Sequence, residues 1–145
     1  MIVPGIDGQK MSKSYNNFIN IFLPEKELKK VVMSIVTDAT PLEDPKNPDT
    51  CNVFALYRLL ADKQQIAKMR ENYQRGSYGY GAAKTALYEL LLDKFKNQRE
   101  TYSYYMANRN ELDERLLQGA AKARVIAKAT LNRVREKLGL RAINN

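Results

Sequence analysis

Two lysines three residues apart, Lys10 and Lys13, share a short run with two small hydroxyls, Ser12 and Ser14, and with Met11. An ammonium group offers three donors and no acceptor, and hydroxyls and backbone N–H groups add further donors. Concentrated in a loop, such groups form a clamp for a polyanion, above all a phosphate chain. A solvated basic turn has the same composition, so the pattern alone names a chemistry without proving it. The flanks are Pro4-Gly5-Ile6-Asp7-Gly8 before and Tyr15-Asn16-Asn17 after. No apolar periodicity runs through any of these residues, which predicts a loop.

Other chemistries are limited by what the chain lacks. It has no histidine, which removes a Ser/His triad, a histidine general base and most zinc sites. No protein metal site is expected. The single cysteine, Cys51, cannot close an internal disulfide, and a reducing cytosol fits. The sequence contains no apolar run of membrane length and no signal-peptide pattern, so no membrane partner is expected. Its 145 residues are one domain or a little more, with 24 Lys and Arg against 16 Asp and Glu, a formal net charge of +8. That balance raises the case for nucleic acid without deciding it.

The elements that must position the loop read as mainly helical. Met1-Ile2-Val3 is short and β-branched, like the end of a strand. Phe18, Ile19, Ile21 and Phe22 are placed to anchor the far side of the loop, with Gly5 and Gly8 free to absorb backbone rotation. Pro24 opens a helix whose inward stripe is Leu28, Val31, Val32 and Ile35, with Lys26, Lys29 and Lys30 outside. Thr37 and Asp38 follow it, to cap the next element or brace the loop. Prolines 41, 45 and 48 make residues 39–49 a stiff connector. Asp49 or Thr50 caps a helix running to Ala61, with Val53, Leu56, Tyr57 and Leu60 inward. Asp62 and Gln65 form a capping box for a third, striped by Ile66, Met69 and Tyr73 and ending near Gly76.

The glycine-rich stretch from Gly76 to Gly81 follows no strand, and its spacing suits a helix-to-helix turn better than a phosphate cradle. One long helix is predicted from Ala82 to about Ala107, with Leu87, Leu90, Leu91 and Phe95 inward. At its far end Tyr102, Tyr104 and Tyr105 either stack on unpaired bases or pack against a neighbour. Asn110 is the expected cap of the last helix. Its seam of Leu116, Ala120, Ala123, Ala127, Leu131, Val134 and Leu138 is expected to pack closely on the preceding helix, and Gly139-Leu140 to end it in a Schellman motif. Lys122, Arg124, Lys128, Arg133, Arg135 and Lys137 exceed what a helix C-terminus needs, which points to RNA.

Lys10-Met11-Ser12-Lys13-Ser14 matches the signature loop of class I aminoacyl-tRNA synthetases letter for letter. Gly5-Ile6-Asp7-Gly8-Gln9, Tyr15-Asn16-Asn17, Val36-Thr37-Asp38, Asp44-Pro45 and Gly119-Ala120-Ala121-Lys122-Ala123-Arg124, in that order, resemble bacterial tryptophanyl-tRNA synthetases. The resemblance spans nearly the whole chain, and tyrosyl enzymes are the nearest alternative. It implies two regions. Residues 1–23 would be the loop and its junction to a nucleotide-binding Rossmann half, with the end of that half's last strand at the start. Residues 24–145 would be an α-helical anticodon-binding domain. The family's second signature contains histidines and cannot lie here, so the chain reads as a C-terminal portion.

The implied reaction is ATP-dependent activation of L-tryptophan to its adenylate, followed by transfer to tRNA(Trp), in the cytoplasm and in a homodimer joined through the other half. Lys10 and Lys13 would be the catalytic groups. Ile2, Lys10, Met11, Ser12, Lys13 and Ser14 would line the ATP site, with backbone near Ile2 against adenine and Met11 anchored in an apolar pocket; simple strand packing accounts for Ile2 equally well. Magnesium would travel on the ATP phosphates. Lys122, Arg124 and Lys128 are the candidate tRNA face. A helical RNA-binding module without catalysis remains the reading from another class.

Overall fold

The computed structural model describes residues 2–140. Among them are six α-helices: α1 Glu25–Met33, α2 Asn52–Leu60, α3 Lys63–Arg75, α4 Tyr80–Lys94, α5 Lys96–Ala107 and α6 Arg109–Lys137, with a 3-10 turn at Pro48–Thr50 ahead of α2. The chain divides into two compact units between Glu100 and Thr101. Ile2 and Val3 carry no ladder. A strand end needs a neighbouring strand, and the described residues supply only a single antiparallel bridge, Pro4 with Lys10.

The first unit is built around α4, which packs on both α1 and α2. The apolar spacing anticipated for these helices buries Leu28, Val32 and Ile35 from the α1 side, Val53, Leu56 and Tyr57 from α2, and Leu87, Leu90 and Leu91 from α4. Each large side chain removed from water contributes roughly 1.5–3 kcal/mol before entropy is counted. Phe54 is also buried, because α2 is sandwiched and its inward face is wider than one stripe. Tyr73 of α3 is fully buried at the centre of an aromatic group, with ring centroids 5.7 Å from Phe54, 5.9 Å from Tyr78 and 6.1 Å from Tyr80. Burial pushes its phenol far above the ordinary range, and its hydroxyl lies 3.4 Å from the buried Cys51 Sγ.

The helix ends show which local signals competed successfully. Asp62 and Gln65 form both arms of the capping box, at 2.8 and 3.0 Å. Asp49 caps nothing: it makes two hydrogen bonds with the Arg70 guanidinium, at 2.7 and 3.1 Å. Asn47 caps the 3-10 turn instead. The long helix predicted for 82–107 is interrupted at Phe95, where φ −106° and ψ 14° depart from helical values. Hydrogen bonds from Phe95 N–H to Leu91 O and from Arg99 N–H to Phe95 O persist across the break. Arg99 then donates to the carbonyls of Ile21 and Leu23, tying the start of α5 to the segment after the basic loop.

The connector at 39–49 is stiffened by Lys46 as well as by proline. Lys46 is 3% exposed, and its ammonium donates to the carbonyls of Pro41, Leu42 and Asp44 at 2.8, 3.2 and 3.1 Å. A buried cation survives only when its hydrogen bonds are replaced, and three carbonyls do that here. Asp38, held as an acceptor by Thr40 N–H and by the Tyr80 hydroxyl at 2.9 and 2.7 Å, braces the turn into α4 rather than the basic loop.

In the second unit Asn108, not Asn110, precedes α6 as its N-cap position. The Asn108 side chain donates back to Tyr104 O, so no side chain caps the helix. Tyr104 and Tyr105 meet edge to face at 5.4 Å, Tyr104 donates to Glu111, and the Arg115 guanidinium lies 5.4 Å from the Tyr105 ring centre. These two tyrosines therefore pack at the α5–α6 turn. The expected seam of α6 is not buried: no residue of α5 or α6 is buried, and Leu116, Leu131, Val134 and Leu138 are exposed. Helical spacing identifies an apolar face but not the surface that covers it. The Schellman ending forms as expected, with Gly139 at φ 70° and Leu140 N–H donating to Arg135 O at 2.8 Å.

Candidate functional site

The basic loop is cross-braced at every few residues. Gly5 N–H donates to Gln9 O at 2.7 Å and Gly8 N–H to Gly5 O at 3.1 Å, which closes the turn in front of it. Met11 N–H then donates to Val3 O at 2.9 Å. Beyond it, Asn16 N–H reaches Lys13 O at 3.1 Å, with Asn16 in the left-handed region at φ 51°, a conformation that asparagine tolerates better than most residues. Ser14 N–H donates to Ser12 Oγ at 3.2 Å.

These bonds sort the predicted groups. Lys10 and Lys13 are exposed, and no carboxylate among the described residues pairs with either. Met11 is half-buried and lines an apolar cavity of about 180 Å³ with Ile19, Ile21, Leu87 and Phe95. Ser12 N–H and Ser14 N–H, both anticipated as phosphate donors, are engaged inside the loop. Of the groups anticipated as phosphate donors, that leaves the two ammonium groups and the hydroxyls of Ser12 and Ser14, with Lys10, Lys13 and Ser14 exposed. Ile2 is 69% exposed.

What holds the loop is a residue the sequence reading passed over. Asn17 is 2% exposed. Its Oδ1 accepts from Ser12 N–H at 2.7 Å, and its Nδ2 donates to Lys10 O at 3.1 Å and to Asp7 Oδ1 at 2.9 Å. Its own carbonyl accepts from Ile6 N–H at 2.8 Å. From there the bonding continues into the helical core: Val36 N–H donates to Ile6 O at 2.7 Å, and Asn52 Nδ2 at the start of α2 donates to Val36 O at 3.1 Å.

The two glycines have different work from that expected. A Cβ on Gly5 would sit 2.5 Å from Asn17 Cγ, and one on Gly8, at φ 82°, would meet Asn52 Nδ2 at 2.7 Å. They are required for close approach, with side chains filling the space above them. A polar residue beside a loop carries no periodic signal. Two adjacent asparagines after a turn were the nearest signal, and nothing in their type says that one of them is buried.

A comparison with protein families matches residues 1–96 to the description "tRNA synthetases class I (W and Y)". The chain belongs to this family. Among the synthetases it resembles, a tryptophan–tRNA ligase from Fusobacterium nucleatum is 45% identical over 139 residues, which are 96% of this chain and 42% of that protein. One from Campylobacter jejuni is likewise 45% identical over 139 residues, 96% of this chain and 44% of that protein. The crystal structure of C. jejuni tryptophanyl-tRNA synthetase complexed with ADP and tryptophan is similar at a TM-score of 0.90 and 45% identity, over 97% of this chain and 44% of that one. The chain thus spans less than half the length of these synthetases, and its mainly helical fold is that of the part it matches.

The second predicted site lies on α6. Lys122, Arg124 and Lys128 are all exposed. At 3.6 residues per turn, Arg124 and Lys128 share one face, while Lys122 lies about 160° around the helix from Arg124 and about 120° from Lys128. Among the described residues, no helix is long and apolar enough to cross a membrane.

Proposed function

We propose that this chain is part of a tryptophan–tRNA ligase and carries its triphosphate clamp. The observation that supports this best is the presentation of Lys10 and Lys13: two exposed ammonium groups, with no carboxylate paired to them among the described residues, on a braced loop of a class I synthetase. In amino-acid activation the tryptophan carboxylate attacks the α-phosphorus of ATP, and the bond to the leaving pyrophosphate breaks. Negative charge accumulates on the departing oxygens. A protein lowers that barrier mainly by positioning and by countercharge placed where the charge develops. Lys10 and Lys13 supply the countercharge, with Lys13 the closer, because small neighbours at 12 and 14 let its backbone approach. Magnesium is carried by the ATP phosphates. ATP, L-tryptophan and tRNA(Trp) are the partners, in a cytoplasmic homodimer.

The domain reading accompanies this: residues 1–23 join the clamp to a nucleotide-binding half, and residues 24–145 form the tRNA-binding region, with Lys122, Arg124 and Lys128 on α6 as candidate phosphate contacts. Lys13→Ala, made in the whole enzyme that contains this chain, is expected to slow tryptophan-dependent ATP–pyrophosphate exchange by roughly a hundredfold to a thousandfold, the scale of losing one electrostatic donor. Tryptophan affinity should change far less. Exchange at the wild-type rate would sink the assignment. The tyrosyl alternative is settled in the same assay by replacing tryptophan with tyrosine. The 145-residue chain by itself is expected to show no exchange.

A further inference from the structure

We infer that Asn17 is a positioning residue for the clamp, setting the backbone on both sides of Met11 so that Lys10 and Lys13 project together. This rests on the phosphate-clamp reading above. The geometry is specific. One side chain holds Lys10 through its carbonyl and Ser12 through its N–H, at 3.1 and 2.7 Å, and those residues bracket Met11. The same amide is fixed from behind by Asp7 Oδ1 at 2.9 Å. At 2% exposure it has no water to fall back on, so all three bonds are made or the loop backbone shifts. Asn17 touches no substrate in this scheme. Its influence reaches the reaction only through the two lysines.

Amide chemistry is needed here, and the donor and acceptor must be on one planar group. Alanine removes both. Aspartate keeps the size and the acceptor for Ser12 but deletes the donors to Lys10 O and Asp7, and sets two carboxylates against each other. Displacement of a catalytic group by about 1 Å costs up to a hundredfold in rate, which sets the expected scale.

The test uses the whole enzyme, with active sites counted by adenylate burst titration so that unfolded molecules drop out of the rate. Asn17→Ala and Asn17→Asp are each expected to reduce the per-site rate of adenylate formation about ten- to a hundredfold, with KM for tryptophan moved less than about threefold. Asp7→Asn in the Asn17→Asp background restores a donor across that pair and should recover part of the rate. In a Lys10→Ala/Lys13→Ala background, Asn17→Asp should have little further effect, because the groups it positions are gone. A role limited to stability predicts fewer active sites at an unchanged per-site rate, and that result would overturn the proposal. So would a full additional loss in the lysine-free background. If the lysine substitutions themselves leave exchange intact, the clamp reading falls and takes this one with it. If they slow exchange while both Asn17 variants run at the wild-type per-site rate, only the positioning role falls.

Discussion

Replacing Gly76 with alanine isolates a backbone constraint from everything else in the first unit. Gly76 ends α3 at φ 80° and ψ 179°, a region occupied almost solely by glycine and costing a side-chain-bearing residue about 1–3 kcal/mol. The added Cβ would also lie 2.5 Å from Glu43 O. That oxygen belongs to backbone and accepts from Ser77 N–H at 3.3 Å, in a connector pinned by Lys46 a few residues on. The overlap cannot be relieved by turning a side chain. Alanine recovers about 0.4–1 kcal/mol by restricting the unfolded chain. Strain less this gain leaves roughly 0–2.6 kcal/mol; with the backbone overlap added, a net loss of about 2 kcal/mol is expected, which at a urea slope of about 1–3 kcal/mol per molar lowers the midpoint by roughly 1 M. Gly81→Ala is the control. It is the second residue of α4, a Cβ there meets nothing within 4 Å, and a Gly-to-Ala change in this first turn should leave stability unchanged or raise it by at most about 0.5–1 kcal/mol, the value for a helix interior. Urea unfolding followed by far-UV circular dichroism measures both. Equal midpoints for Gly76→Ala and wild type would refute the claim that this turn is set by steric exclusion.

Two other expectations concern the same unit. Hydrogen bonds from Thr40, the side chain foremost, and from the Tyr80 hydroxyl hold the Asp38 carboxyl below its usual 3.8. Its contribution to stability is therefore present above pH 3.8 and lost as pH falls through the lower folded value. Acid titration of the urea midpoint should be shallower for Asp38→Asn than for wild type below about pH 4, and parallel curves would rule the coupling out. Cys51, 4% exposed beside the Tyr73 hydroxyl, should react with a thiol reagent only as fast as the unit opens, and faster in Gly76→Ala. Rapid labelling of the folded wild type would contradict the packing.

Much of this architecture was legible because short-range rules carried it. The stripe Leu28-Val32-Ile35, the reciprocal cap of Asp62 and Gln65, and the Schellman ending at Gly139 each depend on residues within a turn or two of one another. The departures share a cause as well. Asp49 could serve a cap or a guanidinium, and only the arrival of α3 beside it decided for Arg70. Phe95 reads as one more apolar position in a helix, yet the chain breaks there. The α6 seam has helical spacing from Leu116 to Leu138, but spacing says nothing about the partner, and in this chain those residues face outward. At the loop, Lys10 and Lys13 announced themselves by charge. Asn17 did not, since its importance comes from contacts with residues five, seven and ten positions away rather than from its type.

The bracing of the loop also bears on timescale. A free surface loop samples its positions in nanoseconds to microseconds, while bodies that swing as units take microseconds to milliseconds. Here the run from Val3 to Asn17 is stitched to itself, then through Ile6 and Val36 to the first residue of α2, and it lies in the same compact unit as the first four helices. Gly5 and Gly8, packed under asparagine side chains, are poor hinges. On the clamp reading proposed above, approach of the lysines to a triphosphate would then be a slow swing of the entire helical unit, against the solvent drag of about a hundred residues rather than five. Viscosity and remote packing changes in α2 would register in the rate of that step, far from any atom that touches phosphate.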